Sequence, residues 1–145
     1  MTEIPSPLED LRLNNLATAP AYPPDPVLDL AYAVAEAADD RKAVDIQILA
    51  VGNVSYLADY FVIASGHSKT QVRAIAQAIT AATELHYQRL PGRTEGLSDC
   101  TWILLDYGDV IAHILLPKER EYYNLEAFWG HAEVIPFPPV KAQQG

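Results

Sequence analysis

Residues 102–116, WILLDYGDVIAHILL, decide the fold, because two apolar runs of strand character flank a short polar insertion, Asp-Tyr-Gly-Asp. Apolar runs on both sides of a glycine-containing turn predict a β-hairpin. Gly108 supplies the positive φ that a tight connection requires. We therefore expect two antiparallel strands that are joined at this insertion.

Two registers of this hairpin compete, and they differ in which residues take unusual backbone angles. If residues 107–108 form a two-residue type I′ loop, the tyrosine also needs a positive φ, which is costly for a bulky side chain, and Trp102 lies opposite His113. If residues 106–107 form a type I turn and the glycine is left-handed in a bulge, only glycine has the unusual φ, and Trp102 lies opposite Ala112. We favour the second register.

The favoured register divides the hairpin side chains between two faces of the sheet, because successive side chains of a strand alternate. The first face is predicted to pack in the core and holds Trp102, Leu104, Val110, Ala112 and Ile114. The second face holds Ile103, Leu105, Ile111, Leu115 and His113. It is too apolar for simple solvent exposure, and such a face usually marks an interaction site.

The rest of the chain predicts one α/β domain. Val44, Ile46 and Ile48 alternate with polar residues as in a half-buried strand, and residues 60–64 read as a strand buried on both faces. Helices are predicted to begin at Asp25-Pro26 and at Ser68 with its capping box, with an aromatic-rich helical piece around residues 119–129 and a last short strand at residues 134–135. We predict a single mixed β-sheet of about five strands with its helices mainly on one face.

The two ends of the chain are predicted to lie outside this domain. Residues 1–24 hold five prolines and show no sustained period, which predicts a flexible tail. The domain is expected to span residues 25–138, followed by a short C-terminal tail, residues 139–145.

Charge and composition exclude several classes of function. The formal net charge of −9 disfavours direct binding of RNA or DNA, because such affinity comes largely from Lys and Arg on phosphates. An acidic surface suits a basic protein partner. No apolar run is long enough for a membrane span and no secretory signal precedes the domain, so we expect a cytoplasmic protein. The single cysteine, Cys100, is interpreted as a small apolar residue.

Catalytic and metal-binding interpretations are weak. Asp106, Asp109 and His113 could form a metal or acid–base set, but Asp is common in turns and an isolated strand histidine is usually structural. Gly66-His67-Ser68 is placed like the phosphate-binding entry of a nucleotidyltransferase, yet no aspartate occurs from residue 69 to residue 87 to bind magnesium. A magnesium-dependent nucleotidyltransferase-like enzyme is therefore only the alternative, and we expect no cofactor and no metal.

The segment REYYNLEAFW, residues 120–129, carries the residue types that dominate protein interfaces. Four large aromatic residues and Arg120 lie within ten positions, which is more than a small core needs. Some of these rings are therefore expected to face a partner.

The chain as a whole resembles the ribosomal silencing factor family, RsfS, also called the Iojap family. The resemblance runs in order from about Val27 to Phe137, and any one of its motifs alone is weak. It is carried by YFVIASGHS at residues 60–68, Gln71-Val72, Ala74-Ile75, Glu95-Gly96, Trp102, LDYGDV at residues 105–110, His113, Arg120, Tyr122-Tyr123, Leu125-Glu126 and Trp129.

This resemblance implies a non-catalytic regulator with a fold remotely like that of the nucleotidyltransferases. Family members bind a basic protein of the large ribosomal subunit, the ribosomal protein numbered fourteen, on the intersubunit face. They block joining of the subunits, repress translation when nutrients are scarce, and have a proposed role in large-subunit biogenesis. The free protein is then expected to be a homodimer. The residues expected to contact the ribosomal partner are Asp106, Tyr107, Asp109, His113, Arg120, Tyr123 and Trp129.

Overall fold

The computed structural model describes residues 25–139. The two predicted tails therefore lie outside the described residues, apart from Pro139. The helices are α1 (Pro26–Asp40), α2 (Lys69–Tyr87), α3 (Pro117–Tyr123) and α4 (Leu125–Phe128). The strands are β1 (Val44–Ala50), β2 (Tyr60–Ser65), β3 (Arg93–Glu95), β4 (Trp102–Asp106), β5 (Val110–Leu115) and β6 (Glu133–Ile135).

The strands form one mixed sheet in the order β3-β4-β5-β2-β1-β6. Strands β2 and β5 are parallel, and all other neighbours are antiparallel. The predicted single α/β domain is confirmed, but the sheet has six strands rather than five. The strand that the prediction missed, β3, is three residues long and wholly exposed, so it has no apolar alternation to reveal it.

Helices α1 and α2 cover one face of the sheet, which we call the helix-covered face. Helix α1 begins as predicted, since the carboxylate of Asp25 accepts hydrogen bonds from the amides of Val27 and Leu28, each at 3.1 Å. The Ser68 hydroxyl accepts from the amide of Gln71 at 3.1 Å. The second hydrogen bond of the predicted capping box differs. The Gln71 side chain accepts from the backbone amide of His67 rather than from that of Ser68.

The hairpin of β4 and β5 has neither of the two registers that the sequence predicts. Trp102 lies opposite Leu115, and Leu104 lies opposite His113. The amide of Tyr107 donates to the carbonyl of Val110 at 2.9 Å, which leaves Gly108 and Asp109 as the two central residues of the turn. Among these turn residues only Gly108 has a positive φ, +91°, so the turn confines the unusual angle to glycine.

This register reverses the predicted faces of β4. Trp102 and Leu104 share a face with Ile111, His113 and Leu115, whereas Ile103 and Leu105 lie on the helix-covered face with Val110, Ala112 and Ile114. Strand β5 was therefore assigned correctly and β4 was not. A shift of an odd number of residues exchanges the two faces of one strand.

The second face of the sheet, which we call the aromatic face, is covered in part by the C-terminal segment. Leu125, Trp129 and Ala132 pack there against a buried cluster that includes Phe61 and Ile63. The single helical piece predicted around residues 119–129 is in fact two short helices. Asn124 separates them in a left-handed conformation with φ +48°, and its side chain caps α4 by accepting from the amide of Ala127. The chain therefore turns sharply between α3 and α4.

Candidate partner-binding surface

The two aspartates of the hairpin tip are paired within the chain. Asp109 accepts two hydrogen bonds from the Arg89 guanidinium, each at 3.0 Å. The hydrogen bond with Asp109 raises the pKa of Arg89. Asp106 forms an ion pair with Arg93 at 3.1 Å and accepts from the amide of Gly108 at 2.8 Å. Both carboxylates thus already have cationic partners, whereas the sequence-based prediction offers them to a basic partner protein.

Tyr107 is buried on the helix-covered face, although it was predicted to contact a partner. Its side chain is 6% exposed, and its hydroxyl forms a 2.8 Å hydrogen bond with the hydroxyl of Thr83 in α2. Burial raises the pKa of the Tyr107 phenol. The Tyr107 side chain therefore joins the hairpin to α2, and the partner contact predicted for it stays a prediction.

His113 lies in the centre of the aromatic face. The indole Nε1 of Trp102 donates to Nδ1 of His113 at 3.1 Å, and the Phe61 ring packs edge-on with centroids 4.9 Å apart. Burial lowers the pKa of His113 to about 4, and the nearby Asp106 only partly offsets this effect. The imidazole is therefore neutral at physiological pH.

Two rows of rings run from this centre to the protein surface. In the first row the ring centroids of Trp102 and Tyr123 lie 4.8 Å apart, and those of Tyr123 and Tyr122 lie 4.9 Å apart. In the second row the ring centroids of Phe61 and Trp129 lie 5.5 Å apart, and those of Trp129 and Phe128 lie 5.1 Å apart. We call the outer residues of both rows the aromatic surface: Trp102, Tyr122, Tyr123, Phe128 and Trp129.

The outermost rings of the aromatic surface are freely accessible. Tyr122 is 80% exposed, Phe128 is 76% exposed and Tyr123 is 51% exposed. Trp102 and Trp129 are half-buried and connect these rings to the sheet. Isolated exposed apolar residues need no explanation, but a connected set that is fixed on a rigid sheet is typical of an interaction site.

Arg120 holds the C-terminal segment on the sheet. Its guanidinium is paired with the carboxylate of Glu126 at the start of α4 and donates to the hydroxyl of Ser65 at 3.1 Å. The side chain is only 12% exposed. Arg120 therefore links α3, α4 and β2, and it lies beneath the surface that it was predicted to form.

Acidic side chains accompany the exposed tyrosines. Glu119 and Glu121 line a shallow depression together with Lys118, Tyr122 and Tyr123. Oε1 of Glu119 is buried and has no hydrogen-bond partner within residues 25–139, whereas Glu121 is exposed. Near the aromatic surface Glu121, rather than the paired Asp106 and Asp109, is therefore the carboxylate available to a basic partner.

The Gly66-His67-Ser68 segment is explained by packing. A Cβ atom on Gly66 would lie 3.1 Å from the amide nitrogen of Val72 and 3.2 Å from Cδ1 of Ile75, so a larger residue would require α2 to shift slightly away from β2. Within residues 25–139 no group of three or more His, Cys, Asp or Glu side chains is placed to hold a metal ion. The same part of the chain contains no helix with the length and apolar character of a membrane span.

The structure brings together only some of the residues that the sequence singled out. Tyr123 and Trp129 lie in the aromatic surface, His113 and Arg120 lie beneath it, and the hairpin tip lies at the other end of β4 from Trp102. The prediction missed Trp102 because the wrong register placed it in the helix-covered core. The pairing of an indole donor with an imidazole acceptor could have suggested that both share one face.

The fold is that of a small single domain with a mixed α/β sheet and an exposed aromatic surface. A family model described as "Ribosomal silencing factor during starvation" matches residues 24–145. The chain belongs to this family, the RsfS family, as the sequence resemblance implied.

Known relatives agree with this assignment. The ribosomal silencing factor RsfS of Bacillus subtilis is 42% identical over 98 residues, which are 68% of this chain and 82% of that protein. The mouse protein named "Mitochondrial assembly of ribosomal large subunit protein 1" is 32% identical over 61% of this chain and 40% of its own length. A crystal structure of a Chromobacterium violaceum protein aligns with a TM-score of 0.70 and 30% identity, covering 81% of this chain and 93% of that one. The names of the first two proteins describe regulation and assembly rather than catalysis.

Proposed function

We propose that this chain silences translation by binding the large ribosomal subunit at a basic ribosomal protein on the intersubunit face, the one numbered fourteen, and by blocking subunit joining. The observation that carries the proposal is the aromatic surface, three of whose rings are more than half exposed on a rigid support. Aromatic anchors of this kind supply most of the binding energy at protein interfaces.

Charge favours a basic protein as the docking site within a particle rich in RNA. The chain carries a formal net charge of −9, so phosphates repel it. The exposed Glu121 beside the exposed tyrosines favours Lys and Arg on the partner. The proposed contact surface is therefore the aromatic surface with Glu121, and His113 and Arg120 act beneath it. Contacts by Asp106, Tyr107 and Asp109 remain a secondary proposal.

The proposed mechanism is steric and requires no turnover. A domain of this size that is docked on the intersubunit face occupies space that the small subunit needs. The fraction of silenced subunits then depends on affinity and cellular concentration, by mass action. A factor bound to free large subunits could also act during their biogenesis. The proposed location of both activities is the cytoplasm.

Self-association of the free chain is part of the proposal. The exposed rings would be partly covered if two copies met as a homodimer. Sedimentation equilibrium of the full chain tests this point, and a monomer at all concentrations would contradict it without affecting subunit binding.

The central test is co-sedimentation of the full chain with purified large subunits in sucrose gradients, followed by a subunit-joining assay. Truncating exposed rings should cost little stability, so Tyr122→Ala and Phe128→Ala should each weaken binding about tenfold while the fold persists. Leu85→Ala is the matched control, because Leu85 is 70% exposed on α2, on the other side of the sheet. If Tyr122→Ala and Phe128→Ala bind and block joining like the parent chain, the aromatic surface is not the docking site.

A further inference from the structure

In the part of the chain that the structure describes, the imidazole of His113 makes a single hydrogen bond, and its partner is Trp102. The indole Nε1 donates to Nδ1 at 3.1 Å, whereas the other ring nitrogen, Nε2, is buried and finds no partner within residues 25–139. The two residues are diagonal neighbours on the aromatic face, because Trp102 lies opposite Leu115 and His113 lies opposite Leu104. Since Nδ1 accepts, the neutral imidazole carries its proton on Nε2.

A histidine at this position is a costly way to fill the core. Leucine or phenylalanine would fill a comparable space without leaving a buried N–H unpartnered. Within residues 25–139 the hydrogen bond to Trp102 is the one hydrogen bond that the imidazole makes. The feature that distinguishes His113 from an apolar core residue is therefore its hydrogen bond with the Trp102 indole, which orients that ring.

The orientation of Trp102 in turn determines where the exposed tyrosines lie. The Tyr123 ring rests on Trp102 with centroids 4.8 Å apart, and the Tyr122 ring packs at right angles to Tyr123. An indole without its acceptor can adopt other χ2 angles, and the rings above it lose a fixed support. Rings that are fixed before binding lose less entropy when a partner docks.

We propose that His113 is a positioning residue of the aromatic surface: it fixes the Trp102 indole through Nδ1 and so holds Tyr123 in place for the partner, without touching the partner itself. This inference rests on the proposed function, and it replaces the direct contact that the sequence predicted for His113 with an indirect role.

The first measurement observes Trp102 without any partner. The chain has two tryptophans, so ¹⁵N-tryptophan labelling of the full chain gives two indole N–H signals, which Trp102→Phe assigns. His113→Leu removes the acceptor and should speed solvent exchange of the Trp102 indole proton about fivefold to tenfold while leaving the Trp129 signal in place. His113→Asn keeps an acceptor oxygen near the position of Nδ1 and should preserve slow exchange.

The second measurement is the affinity of the same variants for purified large subunits. His113→Leu should weaken binding about fivefold to tenfold, and His113→Asn should restore it to within about twofold of the parent chain. Ile75→Val is the control for general destabilisation, because Ile75 is fully buried on the helix-covered face and the change removes only one methylene from the core. It should leave both the Trp102 signal and the binding unchanged.

The outcomes separate this inference from the proposed function. If the parent chain does not bind large subunits, the proposed function fails, and the indole exchange still decides whether His113 holds Trp102. If the parent chain binds and His113→Leu binds equally well, or if the Trp102 proton is unaffected by His113→Leu, the positioning role is overturned. Equal weakening by His113→Leu and Ile75→Val would likewise reduce His113 to an ordinary core residue.

Discussion

The guanidinium of Arg89 donates two hydrogen bonds of 3.0 Å each to the carboxylate of Asp109. Arg89 follows the end of α2 and also donates to the carbonyl of Tyr107 at 2.8 Å, so one side chain ties the helix to both sides of the hairpin turn. From the sequence alone Asp109 is a free carboxylate at a loop tip, whereas in the structure it is part of the link between two elements.

Asp109→Lys should therefore lower the free energy of unfolding, because it places a second cation against Arg89. We expect a loss of about 1 kcal/mol, since both side chains are about a third exposed and solvent screens the repulsion. Urea denaturation measures the loss, and the charge-swapped pair Arg89→Glu with Asp109→Lys should recover most of it. A stable swapped variant that binds large subunits poorly would assign Asp109 a contact of its own. Unchanged stability of Asp109→Lys would show that the ion pair contributes nothing.

Tyr107→Phe should destabilise the protein by about 1 kcal/mol without changing large-subunit binding. The substitution removes the buried hydroxyl that is hydrogen-bonded to Thr83, a side chain with no exposed area. Thr83→Val removes the same hydrogen bond from the α2 side together with the one that the Thr83 hydroxyl donates to the carbonyl of Thr80 at 3.2 Å, so it should cost at least as much. The two changes together should cost less than their sum. If Tyr107→Phe weakens subunit binding but leaves the stability unchanged, the Tyr107 hydroxyl contacts the partner, as the sequence predicted.

The stability of the chain should fall between pH 6.5 and pH 4.5. Burial lowers the pKa of His113 to about 4 from an ordinary value of 6.5, so the unfolded chain binds a proton in this range and the folded chain does not. The contribution of the neutral His113 to the free energy of unfolding is complete above pH 6.5 and declines as the pH falls. It levels off below pH 4, after the free energy of unfolding has fallen by about 3 kcal/mol in total. Asp25 acts in a lower range, because hydrogen bonds with the amide of Leu28 and the hydroxyl of Tyr60 lower its pKa below 3.8.

Urea unfolding at several pH values measures how the free energy of unfolding changes with pH. His113→Asn has no imidazole at the site and should have a much flatter profile between pH 6.5 and pH 4.5. If parent and variant lose stability in parallel, another group causes the decline.

Two glycines with similar backbone angles should tolerate alanine very differently. Gly96 has φ +89° and a Cβ there would lie 2.0 Å from the carbonyl oxygen of Trp102, whereas Gly108 has φ +91° and no atom within 4 Å of the corresponding position. Gly108→Ala should cost about 1–2 kcal/mol for the left-handed backbone alone. Gly96→Ala should cost more than about 3 kcal/mol, because β4 must also move. Thermal unfolding compares the pair, and equal losses would mean that the close approach to Trp102 relaxes freely.

Local signals in the sequence predicted the parts of the fold that depend on neighbouring residues. Asp25 and Pro26 predict the start of α1 because capping and the first-turn proline are properties of adjacent positions. The alternation in β1 and the apolar run of β2 likewise predicted both strands. The family resemblance carried the functional assignment, since no single motif identifies it.

The errors arose where the outcome depends on distant contacts. The turn at Gly108 is compatible with several registers, and the structure has the one in which Trp102 lies opposite Leu115. Nothing in the residues next to the turn distinguishes this register from the others. The internal pairing of Asp109 depends on Arg89, which lies twenty positions earlier in the chain. The split of the C-terminal piece depends on a left-handed Asn124, which a helical apolar pattern does not reveal.

The outer strands of the sheet determine how two copies of this chain can meet. Both β3 and β6 are only three residues long, β3 carries Arg93 and Glu95, and Pro136 directly follows β6. Short, charged edges interrupted by proline offer a poor template for a strand from another molecule. Continuation of the sheet from one copy into the next is therefore disfavoured. Any self-association of this chain should use its faces, and a dimer formed through the aromatic surface would compete with docking on the ribosome for the same exposed rings.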